Sequence, residues 1–398
     1  MNALKKLLLG ILALAAATAV VVAVLVYLHS DPIPAGTDSA ARLASGPYRV
    51  AVHEHTLTDT SRPTDANGTY PGAASRQLPI KVWQPQRDSG AMPGTSGGFP
   101  LLVYSHGFSG TRDDPQYLAR FLASHGYVLV AMDFPLTNLH APDGPAVMDV
   151  INQPGDVSFV IDTLLDWNTD PDSVLYRQLD PERIALIGHS LGGMTTVLAT
   201  YHPRLRDPRV AAAVSLAGPL EMFGRQLFAP YDTPFLMLAS DTDPMVDYHK
   251  NAGVLLQRVN HSVLVSLHRA SHTGFTDQAR YLRFLDNPDR LGCAMVATAV
   301  NEETPMEDMP LYDLLGSEQE GILRAPPEGI CLGKLEPAMP VGRQHDLTKL
   351  AVQAFLGAVF DAAIESRQRD EQYLRATLPR EIDAVRVAGD LALDAVPP

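Results

Sequence analysis

The chain has 398 residues, which is long enough to bury a large core, and 46% of its residues are hydrophobic. Its 31 basic and 45 acidic residues give a formal net charge of −14 at pH 7. Binding to nucleic acid depends on Lys and Arg side chains that neutralise phosphates. The acidic balance therefore argues against nucleic acid as a partner and leaves small-molecule chemistry open.

The N-terminal region combines two basic residues with a long apolar segment. Lys5 and Lys6 precede residues 7–28, which carry no charge. As a helix, this segment spans about 33 Å, enough to cross a bilayer. The apolar part of a cleaved signal peptide is usually shorter, about 7 to 15 residues. We therefore expect a membrane anchor with the rest of the chain outside the cytoplasm, and a cleaved, secreted form is the alternative. Residues 31–47 are expected to be a polar linker.

From residue 48 onward, short apolar runs alternate with helical patterns. Such alternation predicts an α/β fold with a mostly parallel sheet and helices on both faces. A helix is expected to open at Asp114 and Pro115. The expected strands are residues 48–57, 78–85, 99–107, 127–133, 183–188, 209–217, 233–240 and 262–268, and further helices are expected at 154–168, 191–201 and 345–366.

Residues 274–344 interrupt this alternation and read as an insertion rich in Pro, Glu and Met. They contain both cysteines of the chain, Cys293 and Cys331. Outside the cytoplasm such a pair is expected to form a disulfide, with two buried free thiols as the alternative. The catalytic domain is expected to span residues 48–368, and residues 369–398 read as a charged tail.

Ser190 lies in the stretch "ALIGHSLGG", between Gly188 and Gly192. A G-x-S-x-G motif after a strand and before a helix is typical of a nucleophile elbow. The flanking glycines leave room for a strained turn, and the N-terminus of the following helix favours developing negative charge. The alternative is a glycine-rich turn with an incidental serine.

A nucleophilic serine needs a base and a carboxylate that orients the base. Asp241 and Asp243 follow one predicted strand, and His268 and His272 lie around the end of the next. The carboxyl ends of parallel strands are where sites in such sheets form. His272 is favoured over His268 because it falls in the loop beyond the strand. The two-residue spacing alone does not choose between the two aspartates.

Several blocks resemble the α/β-hydrolases related to platelet-activating-factor acetylhydrolase and dienelactone hydrolase, and more distantly the cutinase-like polyester hydrolases. These blocks are "LLVYSHGFSGTRDDPQYLARFLASHGYVLVAMDFP", "GDVSFVIDTL", "ALIGHSLGG", "ASDTDPMV" and "ASHTGF". The resemblance covers residues 48–275 and the helix near 345–366, but not the insertion. It implies the α/β-hydrolase fold and ester hydrolysis without a metal or an organic cofactor.

On the matching positions, the resemblance makes Ser190 the nucleophile, His272 the base and Asp243 the acid. The backbone amides of Phe108 and Leu191 are then expected to form the oxyanion hole. The chain is accordingly expected to be a serine carboxylic ester hydrolase acting on a small-molecule or lipid ester. An envelope acyltransferase with the same triad and a non-catalytic membrane-tethered binding protein are the alternatives.

The remaining histidines receive other interpretations. His53 and His55 lie on one face of a predicted strand, where solvent exposure is favoured over a metal site. His106 and His189 are expected to pack near the site or to face the substrate rather than to act as bases. The Met-rich stretch of residues 293–315 is expected either to line an apolar acyl pocket or to be a plainly packed insertion.

Overall fold

A nine-stranded sheet organises the part of the chain that the computed structural model describes, namely residues 2–28, 31–86, 97–299, 311–324, 330–332 and 334–391. The strand order is β1-β2-β4-β3-β5-β6-β7-β8-β9. The strands are β1 Arg49–Asp59, β2 Arg76–Gln86, β3 Phe99–Ser105, β4 Val128–Met132, β5 Leu179–His189, β6 Val210–Leu216, β7 Phe235–Ser240, β8 Ser262–Leu267 and β9 Val385–Gly389.

The described helices lie before the first strand and in the connections between the strands. They are α1 Asn2–Leu28, α2 Asp38–Arg42, α3 Gln116–Ser124, α4 Gln153–Thr169, α5 Leu191–Tyr201, α6 Arg225–Phe228, α7 Leu255–Arg258, α8 Asp289–Ala299, α9 Leu311–Leu315, α10 Val341–Phe360, α11 Ile364–Gln372 and α12 Leu378–Glu381. Short 3-10 turns at Val147–Ile151, Ala252–Val254, Thr273–Phe275, Asp277–Tyr281 and Glu318–Glu320, and a π-helical turn at Tyr373–Thr377, complete the described elements.

The six central strands, β3 to β8, pair in parallel, whereas β1, β2 and β9 pair antiparallel at the two sides. Every residue of β3, β4 and β7 is buried, as expected for strands covered by helices on both faces. This burial explains why these strands read as continuous apolar runs. The predicted mostly parallel sheet is confirmed.

The two faces of the sheet have separate apolar cores. On one face α10 contributes an apolar stripe of Leu347, Leu350, Phe355 and Val359, which packs with α3 against the strands. On the other face α4 contributes Val157, Val160, Ile161 and Leu164. The apolar residues that recur at helical spacing in α4 and α10 therefore form the buried sides of these helices.

The N-terminal region differs from its prediction in two respects. Among the residues that the structure describes, no helix is long and apolar enough to cross a membrane. The expected membrane anchor is therefore not supported by the structure. Part of the expected linker is docked on the domain, because Arg343 binds the carbonyl oxygen of Asp31 at 3.0 Å and Ser39 of α2 binds Glu381 at 2.7 Å.

The C-terminal residues add the last strand to the sheet. β9 pairs antiparallel with β8, so that Val385 faces Leu267 and Gly389 faces Val263. An unpaired edge strand exposes a row of backbone donors and acceptors. The charged C-terminal segment thus covers the edge of β8, and residues up to 391 belong to the described fold.

Candidate active site

The side chains singled out in the sequence come together at one end of the sheet. Ser190 directly follows β5, Asp243 lies three residues beyond the end of β7, and His272 lies five residues beyond the end of β8. These are the carboxyl ends of parallel strands, where such folds place their sites. The sheet therefore gathers three segments that are distant in sequence.

Ser190 occupies a strained turn between β5 and α5. Its φ of 52° and ψ of −121° lie outside the regions that non-glycine residues commonly adopt. Its amide donates to the carbonyl oxygen of Leu216 at 2.9 Å, and its own carbonyl accepts from Gly193 at 2.8 Å. These bonds hold the turn in the geometry of a nucleophile elbow.

The two flanking glycines are required by close backbone approach. A Cβ atom on Gly188 would overlap the carbonyl oxygen of Gly192, and a Cβ atom on Gly192 would overlap the carbonyl oxygen of Ser105. Rigid backbone atoms surround both positions, so no larger residue fits without moving the strand ends. The spacing of the motif therefore reflects packing at both sides of Ser190.

Asp243 and His272 form a buried pair. Nδ1 of His272 lies 2.7 Å from Oδ2 of Asp243, and the two side chains are only 5% and 2% exposed. The other oxygen, Oδ1, accepts from the amides of Met245 at 2.8 Å and Val246 at 3.0 Å. These amide bonds fix the carboxylate, so that one oxygen is left for the imidazole.

The environment of His272 favours its charged form despite burial. Burial lowers the pKa of His272, but the charge and hydrogen bond of Asp243, together with the charge of Asp289, outweigh it. The pKa of His272 therefore lies above its ordinary value. A carboxylate at Nδ1 keeps a proton on that nitrogen, which leaves Nε2 as the basic atom.

The competing residues form a second pair outside the buried site. Asp241 binds Nδ1 of His268 at 2.8 Å, and its other oxygen accepts from the amide of Arg269 at 2.9 Å. The His268 side chain is 62% exposed and that of Asp241 is 35% exposed. The structure thus places this pair in solvent contact, whereas Asp243 and His272 are buried near Ser190.

The expected oxyanion donors lie on two elements that flank the serine. Leu191 is the first residue of α5, and amides of a first helical turn have no partner within their own helix. Phe108 lies in the loop after β3, where Ser109 has a φ of 58° and donates its amide to Thr137 at 2.9 Å. This arrangement suits stabilisation of negative charge on a bound oxygen.

A buried hydrogen-bond chain, which the sequence did not suggest, joins these two elements. Gln153 of α4 donates to the hydroxyl of Thr137 at 2.7 Å and accepts from the hydroxyl of Thr195 in α5. All three side chains are fully buried. Since the carbonyl of Thr137 holds the amide of Ser109, the chain runs from α5 to the loop of Phe108.

His106 and His189 are buried, and both lie within hydrogen-bonding distance of backbone atoms. Nε2 of His106 accepts from the amide of Phe134 at 3.1 Å, and Nδ1 lies 2.7 Å from the carbonyl oxygen of Gly107. Nε2 of His189 lies 3.1 Å from the carbonyl oxygen of His272. Burial lowers the pKa of both histidines, which keeps them neutral.

Ser190 and His272 share one cavity of about 380 Å³. Its wall is largely apolar, and the insertion supplies much of it, since α8 contributes part of the Met-rich stretch. Residues 300–310 of that stretch lie outside the described residues. The apolar lining residues are Phe108, Leu139, Met245, Leu282, Leu291, Met295 and Val296.

The insertion also carries two structural features that lie beside the site. Cys293 and Cys331 are joined, so the predicted disulfide is confirmed. Asp289, the first residue of α8, is fully buried and accepts from the amides of His272 at 2.8 Å and Thr273 at 2.7 Å. No local sequence signal marks Asp289, because its partners are 16 and 17 residues away.

Within the described ranges, no group of three or more His, Cys, Asp or Glu side chains is arranged to hold a metal ion. His53 and His55 lie on β1, the edge strand of the sheet. The ring of His55 contacts that of Trp167 at a centroid distance of 4.9 Å.

Comparison with known proteins finds a family model and curated relatives that are similar to this chain. A family model described as "PETase: PET hydrolase-like" matches residues 91–287. The chain is 31% identical to Cutinase est2 of Thermobifida alba, over 29% of this chain and 34% of that protein. It is also 31% identical to 20-hydroxy-prefusarin hydrolase FUS2 of Gibberella moniliformis, over 32% of this chain and 28% of that protein.

A solved structure shares the fold over most of its length. The ferulic acid esterase from Streptomyces cinnamoneus has a TM-score of 0.51 and 21% identity, and the match covers 81% of this chain and 93% of that chain. The predicted α/β-hydrolase fold is confirmed. The chain spans only 34% and 28% of the length of the two curated relatives described above. The narrower likeness to platelet-activating-factor acetylhydrolase and dienelactone hydrolase stays a prediction.

Proposed function

We propose that this chain, a member of the α/β-hydrolase superfamily, hydrolyses carboxylic esters through an acyl-enzyme formed on Ser190. The observation that carries the proposal is the buried Asp243–His272 pair, whose imidazole lines the same cavity as a serine held at positive φ. The relatives named as a cutinase and a hydrolase support the same reaction class.

In the proposed first step, Nε2 of His272 takes the proton of Ser190 while the serine Oγ bonds to the ester carbonyl carbon. The carbonyl oxygen becomes an oxyanion, which the amides of Phe108 and Leu191 stabilise. His272 then gives its proton to the leaving alcohol as the carbon–oxygen bond breaks. Asp243 holds the Nδ1 proton and stabilises the imidazolium that forms between these steps.

In the second step, water replaces the alcohol as the attacking group. His272 removes a proton from that water while its oxygen bonds to the acyl carbon, and the same two amides hold the oxyanion. The bond to Ser190 breaks, His272 returns the proton to the serine oxygen, and the free acid leaves. The products are one alcohol and one carboxylic acid for each water consumed.

The cavity supports a preference for esters with an apolar part. Its wall combines Leu and Met side chains from the insertion with Phe108 and Leu139 from the loops after β3 and β4. Burial of apolar substrate surface against such a wall contributes about 25 cal/mol for each Å² removed from water. The substrate class that we propose is therefore an ester whose acyl or alcohol part is apolar, lipid esters included.

We further infer that the domain works outside the cytoplasm. The support is the Cys293–Cys331 disulfide, since such bonds persist in oxidising compartments. The apolar segment that follows Lys5 and Lys6 supports the same location, because it has the composition of an export signal. Detection of the full-length or shortened protein in cell fractions tests this inference, and a cytoplasmic protein with both thiols free contradicts it.

Labelling of the active serine tests the proposed reaction most directly. A fluorophosphonate probe should label the wild-type chain and leave Ser190→Ala unlabelled, and only the wild type should release acid from a series of p-nitrophenyl esters. Thr196→Ser, a hydroxyl on the same helix, serves as the control variant and should label normally. An unlabelled, inactive wild type indicates a binding protein, whereas ester formation with an added alcohol at the expense of hydrolysis indicates an acyltransferase.

A further inference from the structure

Asp289 places a second buried carboxylate behind His272. Its Oδ2 accepts from the amide of His272 at 2.8 Å, and its Oδ1 accepts from the amide of Thr273 at 2.7 Å. The side chain of Asn287 accepts from the amide of Asp289 at 2.8 Å and so fixes the start of α8. Both carboxylate oxygens are therefore used to hold the backbone on which His272 stands.

The first turn of α8 also contacts the loop of the acid. A Cβ atom on Gly292 would lie 2.5 Å from Oγ1 of Thr273 and 2.7 Å from Cε of Met245. Thr273 follows His272, and Met245 is two residues after Asp243. The glycine thus allows α8 to lie against the loops of both partners at once.

The disulfide fastens the same helix to the acid loop. Cys293 lies one turn after Asp289 and is joined to Cys331. The amide of Cys331 donates to the carbonyl oxygen of Pro244 at 2.7 Å, directly after Asp243. A covalent and hydrogen-bonded connection therefore runs from the His272 backbone, through α8 and the disulfide, to the residue beside Asp243.

We infer that α8 and its disulfide to Cys331 hold Asp243 and His272 in a fixed position relative to each other, and that Asp289 is a positioning residue for His272. The inference rests on the proposed function, because it assigns Asp289 a role through His272. The residues of α8 that line the cavity do not include Asp289; they are Leu291, Gly292, Met295 and Val296. Asp289 should thus act on the rate of the chemical step rather than on substrate binding.

The charge of Asp289 gives this role a signature in the pH profile. The groups that face the His272 imidazole are Asp243 at Nδ1, the charge of Asp289 behind it, and the neutral ring of His189 at a centroid distance of 4.8 Å. A negative charge favours imidazolium, so removing that charge lowers the pKa of His272. The base then becomes neutral at lower pH, and the acidic limb of kcat/KM moves to lower pH.

The test compares Asp289→Asn with Asp286→Asn in the full chain. Asp286 is exposed, pairs with Arg290 and lies three residues before Asp289, so its variant makes the same charge change without touching the site. We expect Asp289→Asn to lower kcat on p-nitrophenyl butyrate by about 10- to 100-fold, because small displacements of a catalytic group have effects of this size. KM should stay within about twofold, and the acidic limb should move to lower pH.

Asp286→Asn should match the wild type in kcat, KM and pH profile. Rates are divided by the fraction of protein that a fluorophosphonate labels, so that loss of folded protein does not count as loss of kcat. An Asp289→Asn variant that melts earlier but keeps the wild-type kcat and acidic limb overturns the inference. Wild-type protein without label or esterase activity instead overturns the proposed function.

Reduction of the disulfide in folded wild-type protein supplies a second measurement that does not depend on a variant folding. We expect tris(2-carboxyethyl)phosphine to lower kcat with KM nearly unchanged, at a temperature where circular dichroism shows an intact fold. Oxidation should restore kcat. A reduced and folded enzyme with undiminished kcat contradicts the proposed role of α8 and its disulfide.

Asp289→Glu keeps the negative charge but moves the carboxylate that accepts from the His272 amide. This variant should lower kcat while leaving the acidic limb of the pH profile in place.

Discussion

Asp241 binds His268 at 2.8 Å on the surface, only two residues away from the buried pairing of Asp243 with His272. The two aspartates thus make nearly the same contact in opposite environments. A surface ion pair is screened by water and contributes little, whereas a buried carboxylate strongly favours imidazolium. Burial, rather than the type of contact, separates the proposed acid from its neighbour.

Asp243→Asn should therefore lose most of its kcat with the fold intact. The amide cannot stabilise imidazolium or hold the required tautomer, and the equivalent change in the Ser-His-Asp triad of a serine protease costs about 10⁴-fold. Asp241→Asn should keep kcat within about tenfold, since it removes an exposed contact. Steady-state kinetics on variants with unchanged circular dichroism measure both effects. The opposite ranking would assign the role of the acid to Asp241.

Gln153→Leu should weaken the oxyanion site without touching the substrate. The change removes both hydrogen bonds that connect α5 with the loop of Phe108. Because loss of a whole oxyanion donor costs about 10²- to 10³-fold, we expect a loosened donor to lower kcat by about tenfold. Gln84→Leu is the matched control. Gln84 is also buried, but it lies on β2 and donates to the carbonyl oxygen of Val174. Equal activities of the two variants would contradict this prediction.

Arg76→Met should be among the most destabilising single changes. Arg76 is fully buried and binds Asp149 at 2.9 Å and Asp156 at 2.7 Å. Removing it leaves two buried carboxylates without their main partner, which typically costs about 3–5 kcal/mol. Arg62 also binds Asp156, but its side chain is 30% exposed, so Arg62→Met should cost less. Urea unfolding measures both, and equal losses would show that burial does not decide the effect.

Asp114 should make stability depend on pH. Burial raises the pKa of this carboxyl to about 7, although Thr111 and Gln278 donate to it. The folded protein then holds a proton that the unfolded chain releases near pH 4, so the free energy of unfolding falls as the pH rises from about 4 to about 7. Asp114→Asn removes this dependence. The free energy of unfolding of the variant relative to that of the wild type should therefore increase as the pH rises from about 4 to about 8.

Thermal melts at several pH values check the Asp114 prediction. Asp166→Asn on α4 is the control, because it makes the same charge change at an exposed position. A constant difference between Asp114→Asn and the wild type over this range would show that Asp114 is ionised throughout.

The sequence predicted those strands and helices whose burial is visible in their own pattern of apolar residues. β3, β4 and β7 are buried on both faces, so their apolar runs alone mark them as strands. The stripe on α10 likewise marks its buried side. β9 has no such signal, because Arg386 interrupts a short strand in a charged segment. It forms because the edge of β8 is available for pairing.

The candidate site likewise contains residues that a local sequence pattern identifies and residues that it does not. The motif around Ser190 is local, and it was found from its glycines and its place after a strand. The choice between Asp241 and Asp243 depends on which carboxylate is buried, which their two-residue spacing does not reveal, so in the sequence only the family resemblance favoured Asp243. Gln153 and Asp289 contact residues far away in sequence, so only the folded arrangement reveals them.

The docking of Asp31 on Arg343 limits how far the domain can move from the N-terminal helix. α1 ends at Leu28, and Asp31 is already bound, so three backbone steps connect the two. At 3.8 Å for each step, their Cα atoms can be no more than about 11 Å apart. Inserting a few Gly-Ser pairs between Leu28 and Asp31 would raise this limit without altering any residue of the site.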